Sequence, residues 1–202
     1  MDVNQIDQEV IGRAAEVIRR GGLVAFPTET VYGLGADAMN PEAAAAIYAA
    51  KGRPSDNPLI IHIADIEDLP KIADPVPEKA LLLAGHFWPG PLTMILKRRP
   101  HVPKETTGGL DTVALRMPKD PIALALIRES KTGIAAPSAN LSGRPSPTTG
   151  PHVKEDMDGR IDMILDGGPC RIGLESTIVD LTSETPLILR PGYISIDDLK
   201  KV

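Results

Sequence analysis

Lys51 and Arg53 stand one residue apart in Lys51-Gly52-Arg53-Pro54-Ser55-Asp56-Asn57-Pro58, directly ahead of the apolar run Leu59-Ile60-Ile61-His62-Ile63. Gly52, Pro54 and Pro58 keep this segment out of regular structure and stiffen it, so both cations could converge on one anion, as in a phosphate-gripping loop. A solvated charged turn is the plainer meaning of a lone Lys-x-Arg. Here the segment opens onto a buried-looking strand and has several counterparts. Thr28-Glu29-Thr30 follows the apolar residues 23–26, and Ser138 and Asn140 follow Ile134-Ala135-Ala136. Ser176 opens one strand-like run and Arg190 closes another, while His62 and Arg116 lie inside theirs. A lone histidine on an apolar strand is more often a satisfied core group than a functional one; His62 stays a candidate because its strand starts at the cationic loop. Arg116 needs either a structural carboxylate or a substrate anion. Together Lys51, Arg53, Arg116 and Arg190 suit a polyphosphate plus a carboxylate, and the hydroxyls and amides suit a small polar substrate.

The elements that must position these residues alternate between helical and extended patterns. Apolar residues at helical spacing predict a helix over residues 7–20, stopped by Gly21-Gly22, and Asn40-Pro41-Glu42 starts another that runs to residue 50. Residues 78–87, 120–130 and 196–200 read as further helices. Residues 23–26, 59–63, 92–96, 112–117, 134–136, 161–166, 176–180 and 187–189 read as strands. Residues 28–35 read as a polar turn, 70–77 as a Pro-punctuated connector, and 137–150 as the most polar loop. Intervening helices imply a twisted, largely parallel α/β sheet, and hairpin-like neighbours near the C-terminus imply mixed strand directions. Polar loops placed after buried strands are where open α/β sheets put ligand crevices. The 202 residues are expected to form one domain over 1–202.

Composition narrows the function. A net charge of −5 argues against bulk electrostatic binding of nucleic acid, and 3% aromatics leave no evident base-stacking platform. Lys97-Arg98-Arg99 with Lys104 is the one candidate basic patch, and a solvated turn is its plainer explanation. One cysteine, Cys170, excludes an intrachain disulfide and a multi-thiolate zinc site, and the four histidines lack metal-ligand spacing. The first five residues lack the regions of a signal peptide, and no apolar run approaches the roughly 20 residues of a membrane span, so the expected setting is cytoplasmic. No P-loop, dinucleotide fingerprint or nucleophile elbow is present.

Five ordered motifs carry a resemblance: Pro27-Thr28-Glu29-Thr30-Val31-Tyr32-Gly33-Leu34, Lys51-Gly52-Arg53-Pro54-Ser55, Pro89-Gly90-Pro91-Leu92-Thr93, Ser138-Ala139-Asn140 and Ile188-Leu189-Arg190-Pro191-Gly192. Together they span nearly the whole chain and resemble the YrdC/Sua5/TsaC family, the threonylcarbamoyl-AMP synthases. The resemblance implies an open, twisted α/β sheet of mixed parallel and antiparallel strands with flanking helices and a concave, positively charged face. It implies an enzyme, a nucleotidyltransferase, that makes threonylcarbamoyl-adenylate and pyrophosphate from L-threonine, bicarbonate and ATP with Mg2+ held mainly by the phosphates. Partner proteins would pass the threonylcarbamoyl group to adenosine 37 of ANN-decoding tRNAs, and direct tRNA or double-stranded RNA binding is a further implied property. Carried over by motif, Thr30, His62, Arg116, Ala136 and Ser176 hold threonine. Arg53, Asn57, Thr112, Ser138, Ser146 and Arg190 hold ATP, with Lys51 and Asn140 beside the phosphates, and Lys51 and Arg53 are the catalytic cations. Longer members continue into a linker and second domain; ten residues follow Gly192 here, which is similar to the short form. Two other functions fit parts of this pattern: a non-catalytic RNA-binding module on the same face, or a carbamoyl-phosphate-handling domain of the hydrogenase-maturation type.

Overall fold

The computed structural model describes residues 7–202. Residues 1–6, and with them the leader-free reading of the start of the chain, lie outside the described residues. The Asp7 carboxylate accepts the amides of Glu9 and Val10 and so starts α1 (Gln8–Arg19), which buries Ile11, Ala14, Ala15 and Ile18. Then come β1 (Val24–Phe26), β2 (Gly33–Asp37) and α2 (Pro41–Lys51), the last capped by the Asn40 side chain and closed by Gly52. β3 (Ile60–His62), α3 (Leu69–Ile72), α4 (Glu78–Phe87), β4 (Leu92–Lys97) and β5 (Thr112–Arg116) follow. The chain continues through α5 (Pro121–Ser130), β6 (Ile134–Ala135), α6 (Gly150–Met157) and β7 (Met163–Ile164). It closes with β8 (Thr177–Asp180), β9 (Leu187–Arg190) and α7 (Ile196–Leu199).

The strands form one sheet in the order β7-β1-β2-β6-β3-β5-β4-β8-β9. Only β1–β7, β3–β5 and β4–β8 run parallel among the described pairs; the other neighbours are antiparallel. The mixed sheet with flanking helices is therefore present, but the expectation of a largely parallel one is corrected. Two of the antiparallel pairs are made by β2, a strand the sequence does not show. The sequence places Gly33-Leu34-Gly35 in a turn because strands avoid glycine. Here Gly35 is what the strand needs: a Cβ there would come within 2.7 Å of both the Phe26 ring and the Ile134 side chain.

Strand alternation divides the side chains between two cores. Ala25, Leu34, Ala36, Ile61, Met94, Leu96, Val113, Leu115 and Ala135 pack in one cluster with residues of α2 and α4, covering one face of the sheet along most of its width. On the other face Val24, Phe26, Ile134 and Ala136 pack with residues of α1 and α5. That second cover reaches only the β1–β6 side. The same face of β3, β5, β4 and β8, carrying Ile60, His62, Ala114, Arg116, Ile95 and Ile178, is left to line a cavity. Among the described residues no helix is long and apolar enough to cross a membrane.

Candidate active site

The cavity has a volume of about 300 Å3, at the small end of the range for ligand pockets. Its first wall is the turn after β1. Pro27 ends that strand, and the buried Thr28 hydroxyl then organises the turn: it donates to the Val31 carbonyl at 2.7 Å and accepts the amides of Thr30 and Val31. The Thr30 hydroxyl lies 2.9 Å from that of Thr28 and accepts an N–H from Arg116 at 3.0 Å. Arg116 and His62 stand side by side across the parallel β3–β5 pair.

Arg116 has its structural carboxylate. Its Nη2 meets Glu29 Oε1 at 2.7 Å with both side chains buried, and its Nε donates to the Gly90 carbonyl at 3.3 Å. The second Glu29 oxygen accepts the Lys119 amide at 3.0 Å. Of the two partners the sequence left open, carboxylate or substrate anion, the first is therefore present. The second is still accommodated, because three of the guanidinium donors are used and one N–H remains on each terminal nitrogen.

His62 Nδ1 lies 3.2 Å from the Ile60 carbonyl, which makes it the protonated nitrogen and leaves the lone pair on Nε2. Burial, reinforced by Arg116, pushes the imidazole pKa down to about 3, so the ring is neutral at any ordinary pH. The third wall is β8 with β9. The Ser176 hydroxyl pairs with Thr93 at 2.7 Å, and Arg190 donates twice to the Ser176 carbonyl, at 3.1 and 2.9 Å. The two segments approach so closely that a Cβ at Gly192 would meet the Glu175 carbonyl and the Thr177 amide at 2.5 Å, which explains the Arg-Pro-Gly ending.

Thr30, His62, Arg116, Ala136 and Ser176, the residues expected around an amino acid, all line this cavity. Arg53, Asn57, Ser138 and Arg190 of the nucleotide set line it too. The three arginines come from well-separated stretches of chain. Burial holds the Arg190 guanidinium below its usual range, and Arg116 and Arg53 add to the shift by repulsion, opposed by Glu175. Arg53 is also pushed down by burial; it makes only long contacts, 3.4 and 3.3 Å, to the carbonyls of Asn57 and Pro58, and its Nε is buried without a partner. Such a cluster is poised for an anion.

Four expected residues are elsewhere. Lys51 does not line the cavity with Arg53: it is the last residue of α2, 3% exposed, and its ammonium donates to the carbonyls of Ser138 and Asn140. Burial and then repulsion from Arg53 push that ammonium down to about 8, against the pull of Asp156. Asn140 is buried behind the cavity, its amide nitrogen donating to the carbonyls of Leu141 and Arg144. Ser146 donates to Glu175 at 2.6 Å and reaches the cavity only through it, the bond that chiefly holds the Glu175 carboxyl below its usual range. Thr112 shares the face of Ala114 and Arg116 but lies one pleat beyond the lining. Glu175 is the site residue that sequence reasoning did not place; Thr28 and Glu29 lie in a turn the sequence marks, but with no role assigned to either. A buried arginine needs a counter-charge, and the carboxylate in that turn is the signal that could have paired Glu29 with Arg116.

Two members of the basic patch are tied into the fold, while Lys97 and Lys104 are exposed. Arg98 is neither free nor solvated: it donates to the carbonyls of Leu110 and Val102 at 3.1 and 3.0 Å and pairs with Asp111. Arg99 donates to the Pro70 carbonyl at 2.6 Å. Both guanidiniums tie loops together. Among the described residues no group of three or more His, Cys, Asp or Glu could hold a metal ion.

Comparison with known proteins places this geometry in a known setting. A family model covering Sua5, YciO and YrdC, described as telomere recombination, matches residues 16–192. The threonylcarbamoyl-AMP synthase of Pyrococcus abyssi is 57% identical over 198 residues, covering 98% of this chain and 58% of that protein. That of Bacillus subtilis is 57% identical over 193 residues, covering 95% and 56%. The chain thus spans a little over half the length of these curated relatives. The crystal structure of P. abyssi Sua5 complexed with L-threonine superposes with a TM-score of 0.96 at 56% identity, covering 98% of this chain and 58% of that one. E. coli YciO superposes at 0.86 with 27% identity, covering 96% and 94%.

Proposed function

Because the chain belongs to the Sua5/YciO/YrdC family, we propose that it is an L-threonylcarbamoyladenylate synthase, a nucleotidyltransferase that joins L-threonine, bicarbonate and ATP. The observation that carries this reading is the convergence of Arg53, Arg116 and Arg190 with the Thr30 and Ser176 hydroxyls on one small cavity. The relatives named for this activity, and the relative whose structure holds L-threonine, support it.

The threonine amine combines with bicarbonate, losing water, to give a carbamate; a carbamate oxygen attacks the α-phosphorus, and pyrophosphate leaves. Arg116 receives the amino-acid carboxylate on its two remaining N–H groups, and the Thr30 and Ser176 hydroxyls bracket the rest of the substrate. Neutral His62 adds an acceptor without adding charge. Arg53 and Arg190 meet the phosphates, with Ser138 and Asn57 beside them. The barrier falls through positioning and charge neutralisation, with no protein base required. Mg2+ fits as an ion carried by the phosphates, whose charge it neutralises: among the described residues Glu175 is the one carboxylate lining the cavity, which is compatible with a single protein contact. The product then passes to partner proteins that modify adenosine 37 of tRNA.

The test supplies purified protein with ATP, Mg2+, bicarbonate and L-threonine and looks for threonylcarbamoyl-AMP by mass spectrometry. Product that requires all three substrates is the expected result. None from freshly folded protein overturns the reading.

A further inference from the structure

Lys51 is a buried cation with no carboxylate in ion-pair contact among the described residues. Its ammonium has three donors, and the oxygens within reach all come from one short stretch: the carbonyls of Ser138 and Asn140, the latter at 2.6 Å, and Asn140 Oδ1 at 3.5 Å. The backbone of the same residue grips the stretch again, the Lys51 carbonyl accepting the Ser142 amide at 2.9 Å. From the opposite side the segment is fastened to the first wall of the cavity. The Leu34 amide donates to the Pro137 carbonyl at 2.8 Å and the Ala139 amide to the Tyr32 carbonyl at 2.9 Å, around a Gly33–Ser138 bridge. Asp156 on α6 secures the far end by accepting the Leu141 amide and pairing with Arg144.

Ser138 is therefore held between β2 and the end of α2, and of the two groups only Ser138 reaches the cavity. We propose that Lys51 is a positioning residue: its ammonium holds the Ser138–Asn140 turn in the shape that presents Ser138 to the nucleotide, and it does not itself touch the phosphates. Asn140 completes the same device, accepting from Lys51 through its carbonyl and bracing the Leu141 and Arg144 carbonyls with its side-chain amide. Burying a charge against carbonyl dipoles alone is costly. Among the described residues Lys51 is the side chain that bridges the Ser138 and Asn140 carbonyls from the α2 side, which is what that cost secures.

The inference rests on the proposed synthase only for the substrates used in kinetics; its main readout needs no substrate. In ligand-free Lys51→Met, which keeps length and removes the donors, hydrogen exchange at the Ala139 and Ser142 amides should quicken at least tenfold with the circular dichroism spectrum unchanged. In turnover the KM for ATP should rise at least tenfold while that for L-threonine, whose contacts lie on other elements, moves less than twofold. Unchanged ligand-free exchange with a raised ATP KM would show direct phosphate contact and overturn the proposal. Equal increases for both substrates would reveal a general structural role and overturn it too. Should the variant fail to fold, the wild-type protein labelled with 15N-lysine decides. A Lys51 ammonium resonance protected from solvent and coupled to backbone carbonyls is expected, and a freely exchanging one refutes the staple. Failure of the synthase assay would leave both ligand-free measurements standing.

Discussion

Removing the Glu29 carboxylate tests how the cavity floor is built. Glu29 is 6% exposed and Arg116 4%, and they meet at 2.7 Å. Glu29→Ala leaves a guanidinium without its counter-charge and the Lys119 amide without its acceptor. Breaking a buried pair from one side costs about 3–5 kcal/mol, because the remaining charge is uncompensated. For a chain of this size that corresponds to a fall in Tm of roughly 6–20 °C. Removing both partners should cost less than the sum of the single changes, since Glu29→Ala with Arg116→Met leaves no lone charge. Urea unfolding of the wild type, the two single variants and the double variant gives the coupling free energy, expected at about 2 kcal/mol or more in favour of the pair. A Glu29→Ala protein within about 1 kcal/mol of wild type, or strictly additive changes, would refute the reasoning. Either result would mean that Arg116 is held by Thr30 and Gly90 alone.

Arg53→Ala should leave stability within about 1 kcal/mol, because Arg53 makes only long contacts, yet lower kcat/KM for ATP about 10- to 100-fold through loss of a charge-assisted contact; unfolding, or unchanged turnover, contradicts this. Gly192→Ala forces the backbone at Glu175–Thr177 to retreat, so about 1–3 kcal/mol of stability should be lost and the KM for threonine should rise as Ser176 moves; an alanine variant unchanged in both respects removes the packing argument. His62 titrates near 3 in the folded protein and near 6.5 unfolded, so its contribution is fully present above pH 6.5 and lost as pH falls toward 3. At pH 5 the loss is about 2 kcal/mol, and wild type should lose that much more than His62→Gln between pH 7 and 5 in urea titrations. Parallel pH curves for the two proteins would place the histidine in contact with water.

Much of this arrangement was legible because it depends on local patterns. Asp7, Asn40 and Asp120 each precede a helix and each accept its first free amides, so the starts of α1, α2 and α5 fall where capping chemistry places them. Period-two alternation puts His62 and Ile60 on one face and Leu59, Ile61 and Ile63 on the other, and the structure divides them the same way, the first pair on the cavity and the other three in the core beneath α2 and α4. What escaped was decided by neighbours distant in sequence. The strand character of Gly33–Asp37 depends on Phe26 and Ile134 lying over the glycines. The α6 helix depends on a Thr149 cap at the end of the most polar loop of the chain. Strand direction in a sheet ordered β7-β1-β2-β6-β3-β5-β4-β8-β9 cannot follow from strand and helix alternation alone.

The two residues from which the sequence argument starts show how such a reading divides. Lys51 and Arg53 are adjacent but for one glycine, and proximity along the chain invites the inference that they serve one ligand. Lys51, however, still belongs to α2, so its side chain takes the direction the helix imposes and runs inward under the Ser138–Asn140 turn. Gly52 then adopts the left-handed conformation, φ 61°, and redirects the chain before Arg53 leaves it. One cation becomes part of the frame and the other faces the cavity. The helix boundary, a matter of a single residue, thus decides which positive charge faces the cavity. Residue type and spacing identify the set of groups that build an anion site. Only the local backbone separates those that touch the anion from those that hold the others in place.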